Sequence, residues 1–264
     1  MTGHHTPTLS LLTAYRGREH HLSVLLPWLA RVREEEGFAD FELILAEGDA
    51  QPTAARLAAE YPWVRYAHVP MTGNFRKAVL LNRGAALARG RFRSIHDVDM
   101  LPAEGVLALQ LGLASESPRC LVTGYRVQLP EMPPAAPLPT TEELLGKMSD
   151  EDPSLICGED DYGGFLKHLI ARESFGVCPF YPAHLFDAVG GLDEGYVGWG
   201  PEDQDFIDRI CGRGVTLVRA YELLYFHMPH ENEPGWFDQT LIAANRRRLA
   251  EAQRARLINR KTGL

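Results

Sequence analysis

Apolar residues along the first hundred positions of this chain fall into two alternating rhythms. Short continuous runs at Leu9 to Ala14, Phe41 to Ala46, Val64 to Val69 and Phe92 to His96 read as strands. Between them lie helical spacings: His21 to Glu36, with Leu22, Leu25, Leu26 and Leu29 on one face, a shorter one near Thr53 to Glu60, and Arg76 to Ala88. Strand–helix alternation of this kind predicts a parallel sheet with helices on both faces. Ligands of such sheets bind beyond the carboxyl ends of the strands, where Tyr15, Glu47 and Asp97 fall.

Past Asp99 the rhythm becomes mixed. Ala103 to Leu113 reads as a helix, and Cys120 to Val127 and Leu223 to Phe226 as strands. Leu129 to Pro139 holds five prolines, which excludes a regular element there, and the chain stays polar and acidic through Tyr162-Gly163-Gly164. A loop this long predicts a lid, a binding loop or a disordered segment. The second half has too few strands for a sheet of its own, so one domain over residues 1–264 is expected, with an insertion at 128–161 and a C-terminal helix at 238–264.

Composition narrows the class. With 264 residues, 45% of them hydrophobic and 23% charged, the chain can bury a large core and is of ordinary soluble type. A formal charge of -8 argues against nucleic-acid binding. Basic residues do gather near the end, at Arg246-Arg247-Arg248, Arg254, Arg256, Arg260 and Lys261. They suit the solvated face of a helix, and are compatible with peripheral contact to an anionic membrane or other anionic partner. Neither a signal-peptide run nor an apolar stretch of membrane-spanning length occurs. The scattered Cys120, Cys157, Cys178 and Cys211 suit free thiols in a reducing cytoplasm better than a zinc site.

The chemistry concentrates in a few segments. Gly198-Trp199-Gly200-Pro201-Glu202-Asp203-Gln204-Asp205 crowds three carboxylates into four positions after a turn. Such crowding is costly unless a cation, a hydroxyl donor or water meets it. An acidic first turn of a helix through Phe206, Ile207 and Ile210 is the simpler account. It weakens because Asp97-Val98-Asp99 ends a strand, where one carboxylate can take a metal and the other orient the site or hold a ribose hydroxyl. His227-Met228-Pro229-His230 follows another strand, and its two imidazoles with Asp99 make a mixed N/O set suited to Mn²⁺ or a similar ion. Asn74 to Gly84 sets Arg76 and Lys77 near a helix start, where they can meet a diphosphate. The remaining histidines are assigned structural or solvent-facing places. No Gly-rich phosphate loop and no Gly-x-Ser-x-Gly nucleophile elbow is present.

Taken in order, these segments resemble the β-1,4-galactosyltransferase family of GT-A glycosyltransferases. The matching pieces are Ala14-Tyr15-Arg16-Gly17-Arg18, Phe75-Arg76-Lys77 through Asn82, Asp97 to Pro102, Ser174-Phe175-Gly176-Val177, Gly190-Gly191-Leu192-Asp193, Gly198 to Asp203, and His227 to His230 with Asn232-Glu233-Pro234. The resemblance implies a Rossmann-like α/β GT-A fold whose mixed, mainly parallel sheet carries helices on both faces. Residues 9–102 would form the nucleotide-binding half and 103–237 the acceptor and catalytic half. It implies inverting transfer of a hexose, galactose or an N-acetylhexosamine, from a UDP-sugar to the hydroxyl of a glycan, lipid-linked or small-molecule acceptor.

Carried over by position, Ala14, Tyr15, Arg16, Arg18, Glu47, Phe75, Arg76, Lys77, Asp97, Val98, Asp99, Trp199 and Gly200 would bind the nucleotide sugar. Asp99, His227 and His230 would hold Mn²⁺ or Mg²⁺. Phe175, Trp199 and Phe237 would meet the acceptor. Asp203 would be the general base, with Glu202 on sugar hydroxyls beside it. His227 stands where vertebrate members carry a methionine, and Ser174 where the family has a tyrosine beside the donor sugar. Absence of a Golgi anchor and of the family's disulfide cysteines suits a cytoplasmic enzyme of bacterial type. Two other readings are a sugar nucleotidyltransferase, for which Ala14-Tyr15-Arg16-Gly17-Arg18 is a poor phosphate loop, and a non-catalytic nucleotide-sugar or glycan-binding module.

Overall fold

Strands β1 (Leu9–Tyr15) and β2 (Phe41–Glu47) are buried along their whole length, and their side chains divide between two cores. Leu9, Leu11 and Tyr15 of β1 and Phe41, Leu43 and Leu45 of β2 enter one core, while Leu12, Ala14, Ile44 and Ala46 enter the other. The two-residue alternation is that of strands covered on both faces, which is why they read as continuous apolar runs. The structure is a computed structural model describing residues 6–147, 176–231 and 238–262. In chain order the further strands are β3 (Val64–His68), β4 (Phe92–Ile95), β5 (Met100–Pro102), β6 (Cys120–Gln128), β7 (Val177–Pro182) and β8 (Thr216–His227). The helices are α1 (Glu19–Glu34), α2 (Ala55–Ala58), α3 (Lys77–Ala85), α4 (Val106–Ser115), α5 (Thr141–Gly146), α6 (Ala183–Ala188), α7 (Glu202–Cys211) and α8 (Gln239–Thr262).

The strands form one sheet in the order β3-β2-β1-β4-β7-β6-β8-β5. Pairs β1–β2, β2–β3, β1–β4 and β6–β8 are parallel, whereas β7 pairs antiparallel with β4 and β6, and β5 with β8. The mixed, mainly parallel α/β sheet expected from the resemblance is therefore present. Leu22, Leu25 and Leu29 of α1 and Leu107 and Leu111 of α4 cover one face. Leu80 and Leu81 of α3 and Phe206, Ile207 and Ile210 of α7 cover the other. Trp28 fastens α1 over the sheet edge: fully buried, it meets Phe226 edge-on at 6.5 Å and its indole N–H donates to Pro102 O at 2.9 Å. Burying a side chain of this size contributes about 1.5–3 kcal/mol.

Several sequence expectations need correction. Met100 to Pro102, for which no element was expected, is an edge strand; its brevity hid it, and an edge tolerates the proline. β7 and α6 were not anticipated, since Cys-Pro-Phe-Tyr-Pro carries two prolines and no alternation. The Pro-rich stretch has no element through Pro139, but α5 follows it, started by a capping box between Thr140 and Glu143. Gln128, placed at the start of the insertion, belongs to β6 and pairs with His227. Residues 148–175 of that segment, with Ser174 and Phe175, and residues 232–237, with Phe237, lie outside the described residues. Among the described residues no helix is long and apolar enough to cross a membrane.

Candidate active site

Register brings the first cluster together. His227, at the end of β8, lies opposite Met100 of β5 on one side and Gln128 of β6 on the other. The chain then continues with Met228 N–H donating to Asp99 O at 2.8 Å, which places Asp99, His227 and His230 side by side. One ligand atom from each of the three lies within 4.8 Å of the others. Nε2 of His227 is 3.7 Å and Nε2 of His230 3.5 Å from Asp99 Oδ2.

Hydrogen bonding and charge prepare the cluster for a cation. The other ring nitrogen of His227, Nδ1, meets Gln128 Oε1, which orients the ring with Nε2 towards Asp99. Burial and nearby Arg18 lower the pKa of His230, which favours a neutral imidazole. Asp99 is only 6% exposed; burial opposes its charge, yet His227, Arg18 and His230 hold its carboxyl well below the usual range. Two imidazoles and a carboxylate fit Mn²⁺, and fit it better than oxygen-seeking Mg²⁺. Arg18 pairs directly with Asp99 Oδ2, so a guanidinium and a candidate cation share one carboxylate.

The second cluster starts at Lys77, the first residue of α3. Its Nζ is 2.7 Å from Asp97 Oδ1 and 3.7 Å from Glu202 Oε1. Burial opposes the ammonium charge, but Asp97, Glu202 and Asp203 hold its pKa above the ordinary lysine range. Glu202, 7% exposed in the first turn of α7, is no solvated helix cap. Burial pushes its pKa up to about 8, with Lys77 opposing and Asp203 adding to the rise. Asp203 is raised too, chiefly by burial, and its Oδ1 accepts the Gln204 N–H at 2.7 Å. One amine thus joins the strand-end Asp97 to the start of α7, a link no local motif announces.

The other expected positions divide. Arg16 lies 5.8 Å from the Phe75 ring centroid and donates to Gly73 O at 2.7 Å, so these two do meet. Arg76 turns to Glu194 O at 3.0 Å instead. Trp199 is 41% exposed, open to a ligand, and Gly200 backs onto Asn245. Ala14, Tyr15 and Val98 are packed into the cores, which leaves a nucleotide their backbone. Burial pushes the Tyr15 hydroxyl up to about 12. Glu47 stands at a strand end as expected, but it is fully buried and accepts from Thr53 N–H at 2.8 Å, Ala54 N–H at 3.1 Å and the Thr53 and Tyr66 hydroxyls. Its carboxylate holds the 48–54 loop. The tail arginines are only partly a solvated face, since Arg248 pairs with Asp193 and Arg256 with Asp205.

Comparison with known proteins agrees with this architecture. A family profile described as "N-terminal domain of galactosyltransferase" matches residues 166–231. Validoxylamine A glucosyltransferase of Streptomyces hygroscopicus subsp. jinggangensis is 25% identical over 248 residues, covering 86% of this chain and 57% of the relative. The chain spans about half the length of the curated relatives it matches, 57% and 53% for the first two. The catalytic domain of Drosophila β1,4-galactosyltransferase 7, solved with xylobiose, superposes with TM-score 0.51 at 16% identity, over 89% of this chain and 79% of its own. Residues 1–349 of S. aureus TarS, solved with UDP-GlcNAc, superpose with TM-score 0.61 at 13% identity, over 86% and 60%. The profile match and the curated relatives thus make this chain similar to galactosyltransferases and related glycosyltransferases, and the solved structures share its fold.

Proposed function

We propose that the chain transfers a hexose from a UDP-sugar to an acceptor hydroxyl with inversion, using a divalent ion held by Asp99, His227 and His230. The observation that carries this reading is Lys77, which ties Asp97, two residues from Asp99, to the Glu202-Asp203 pair. Solved relatives holding UDP-GlcNAc and a disaccharide support donor and acceptor of these classes.

An acceptor hydroxyl is a weak nucleophile at neutral pH, so a carboxylate must take its proton during attack. Asp203 fills that role, and Glu202, largely protonated at neutral pH, offers a hydrogen bond to a sugar hydroxyl beside it. Arg18 moves from Asp99 to the departing diphosphate, where a guanidinium matches phosphate oxygens. Bound Mn²⁺ would supply Lewis-acid neutralisation of the same leaving group. Attack and departure on opposite faces of the sugar give inversion.

UDP release from UDP-galactose, UDP-glucose and UDP-GlcNAc, with and without Mn²⁺, tests the reading. Asp203→Asn should keep UDP binding and lose turnover. Retained turnover would overturn the base assignment, and no release from any donor would overturn the reading itself.

A further inference from the structure

Asn245 sits inside α8, beyond the 166–231 family match. It is 3% exposed, and its amide is spent on the Gly-Trp-Gly segment. Nδ2 donates to Val197 O at 2.9 Å and Trp199 O at 2.7 Å, and Oδ1 accepts from Val197 N–H at 3.4 Å. A Cβ at Gly200 would come within 2.7 Å of the same Nδ2, so glycine there keeps room for the amide. On its other side the segment is held by Gly198 N–H donating to Phe75 O at 2.8 Å, with Gly198 at φ +67°. The helix bearing Asn245 is itself fixed, Arg256 pairing with Asp205 at 3.0 Å and Gln253 donating to Asp208 at 2.9 Å. Alanine would suit the interior of α8 better than asparagine, so helix propensity does not account for the residue.

We propose that Asn245 is a positioning residue for the transfer reaction: its amide fixes the main chain of Val197 to Gly200, and with it the Trp199 ring and the start of α7. The proposal rests on the glycosyltransferase reading, because that reading gives Trp199 a sugar to meet. Asn245 touches no reacting atom. Asn245→Ala therefore leaves the Arg18, Asp99 and His227 side of the site intact while freeing the Trp199 loop.

The test compares full-length wild type, Asn245→Ala, Gly200→Ala and the double variant. The fixed Trp199 ring is read as the near-ultraviolet circular dichroism difference between each protein and its Trp199→Phe partner. UDP affinity with Mn²⁺ and UDP release from UDP-GlcNAc are measured alongside. Asn245→Ala is expected to erase the Trp199 band and to lower kcat for UDP release by roughly ten- to hundredfold, with UDP affinity within about twofold. Gly200→Ala, pressing on the amide from the other side, should reproduce the effect, and the double variant should be no worse than Asn245→Ala alone. A surviving Trp199 band, a wild type without one, or additive losses would overturn the proposal. Should wild type release no UDP, the functional reading falls while the circular dichroism arm still decides whether Asn245 fixes the loop.

Discussion

Nζ of Lys77 lies 2.7 Å from Oδ1 of Asp97 and faces Glu202 on its far side. Lys77→Met removes the cation that opposes the raised pKa values of Glu202 and Asp203, and these should rise further because the opposing charge is gone. The pH–rate profile for UDP release is expected to move to alkaline pH, with neutral turnover reduced at least roughly tenfold. Because the Asp97 side chain is 41% exposed, the stability cost should stay at about 1–2 kcal/mol. An unmoved profile would count against the shared-charge account.

Glu202 predicts how stability changes with pH. Its carboxyl is raised from 4.5 to about 8 in the folded state, so the native protein holds a proton that the unfolded chain has lost. That contribution is complete below pH 4.5 and disappears as pH rises through about 8. Unfolding free energies from urea titrations between pH 5 and 9 should therefore fall more steeply in wild type than in Glu202→Gln, by up to about 1.4 kcal/mol per pH unit. Parallel curves would mean that Glu202 is ionised in the folded protein.

Gln128 predicts a metal effect at one remove. It meets Nδ1 of His227 and so fixes which nitrogen faces Asp99. Gln128→Leu should weaken Mn²⁺ binding by roughly 10–100-fold in calorimetry, while Asp99→Asn should abolish it. Equal affinity in wild type and Gln128→Leu would remove Gln128 from the site.

Arg18 predicts opposite effects on two ligands. Since it pairs with the Asp99 carboxylate, Arg18→Ala should tighten Mn²⁺ binding to the nucleotide-free protein and weaken UDP binding, by roughly tenfold each. Titrations in which both affinities move the same way would contradict the competition.

Asn82 predicts a structural effect behind the site. It donates to Leu192 O at 3.0 Å and accepts from Leu192 N–H at 2.9 Å, clamping the Gly190-Gly191 turn to α3. Asn82→Ala should lower unfolding free energy by about 1–3 kcal/mol in urea titrations. Gly191→Ala should act likewise, since Gly191 has φ +73° and a Cβ there would meet Asn82 Oδ1 at 2.6 Å.

The sequence revealed elements wherever burial imposed a period. Strands β1 to β4 and helices α1 and α3 appear within a few residues of their expected bounds, and all but the half-buried β3 have a buried face that imposes the period. β7 stayed hidden because its prolines mask the strand, and β5 because three residues carry no period. For the site, motifs marked Asp97, Asp99, His227, His230, Glu202 and Asp203, yet their partners came only from register. Gln128 looked like the start of a Pro-rich insertion, and nothing in the pattern of the C-terminal segment singled out Asn245. Glu47 illustrates the converse: a strand-end position is legible, but not that the 48–54 loop and Tyr66 occupy its carboxylate.

His227 occupies the middle of a three-strand seam, with Gln128 and Met100 as its cross-strand neighbours. Successive strand side chains point to opposite faces, so loss of a single residue within β8 would exchange His227 for Phe226 or Met228 at the Asp99 face. β8 already absorbs three extra residues against β6 between the Thr123–Arg219 and Tyr125–Leu224 pairs, so only a one-residue deletion not taken up by that irregularity would trade the imidazole for a hydrocarbon or thioether beside Asp99.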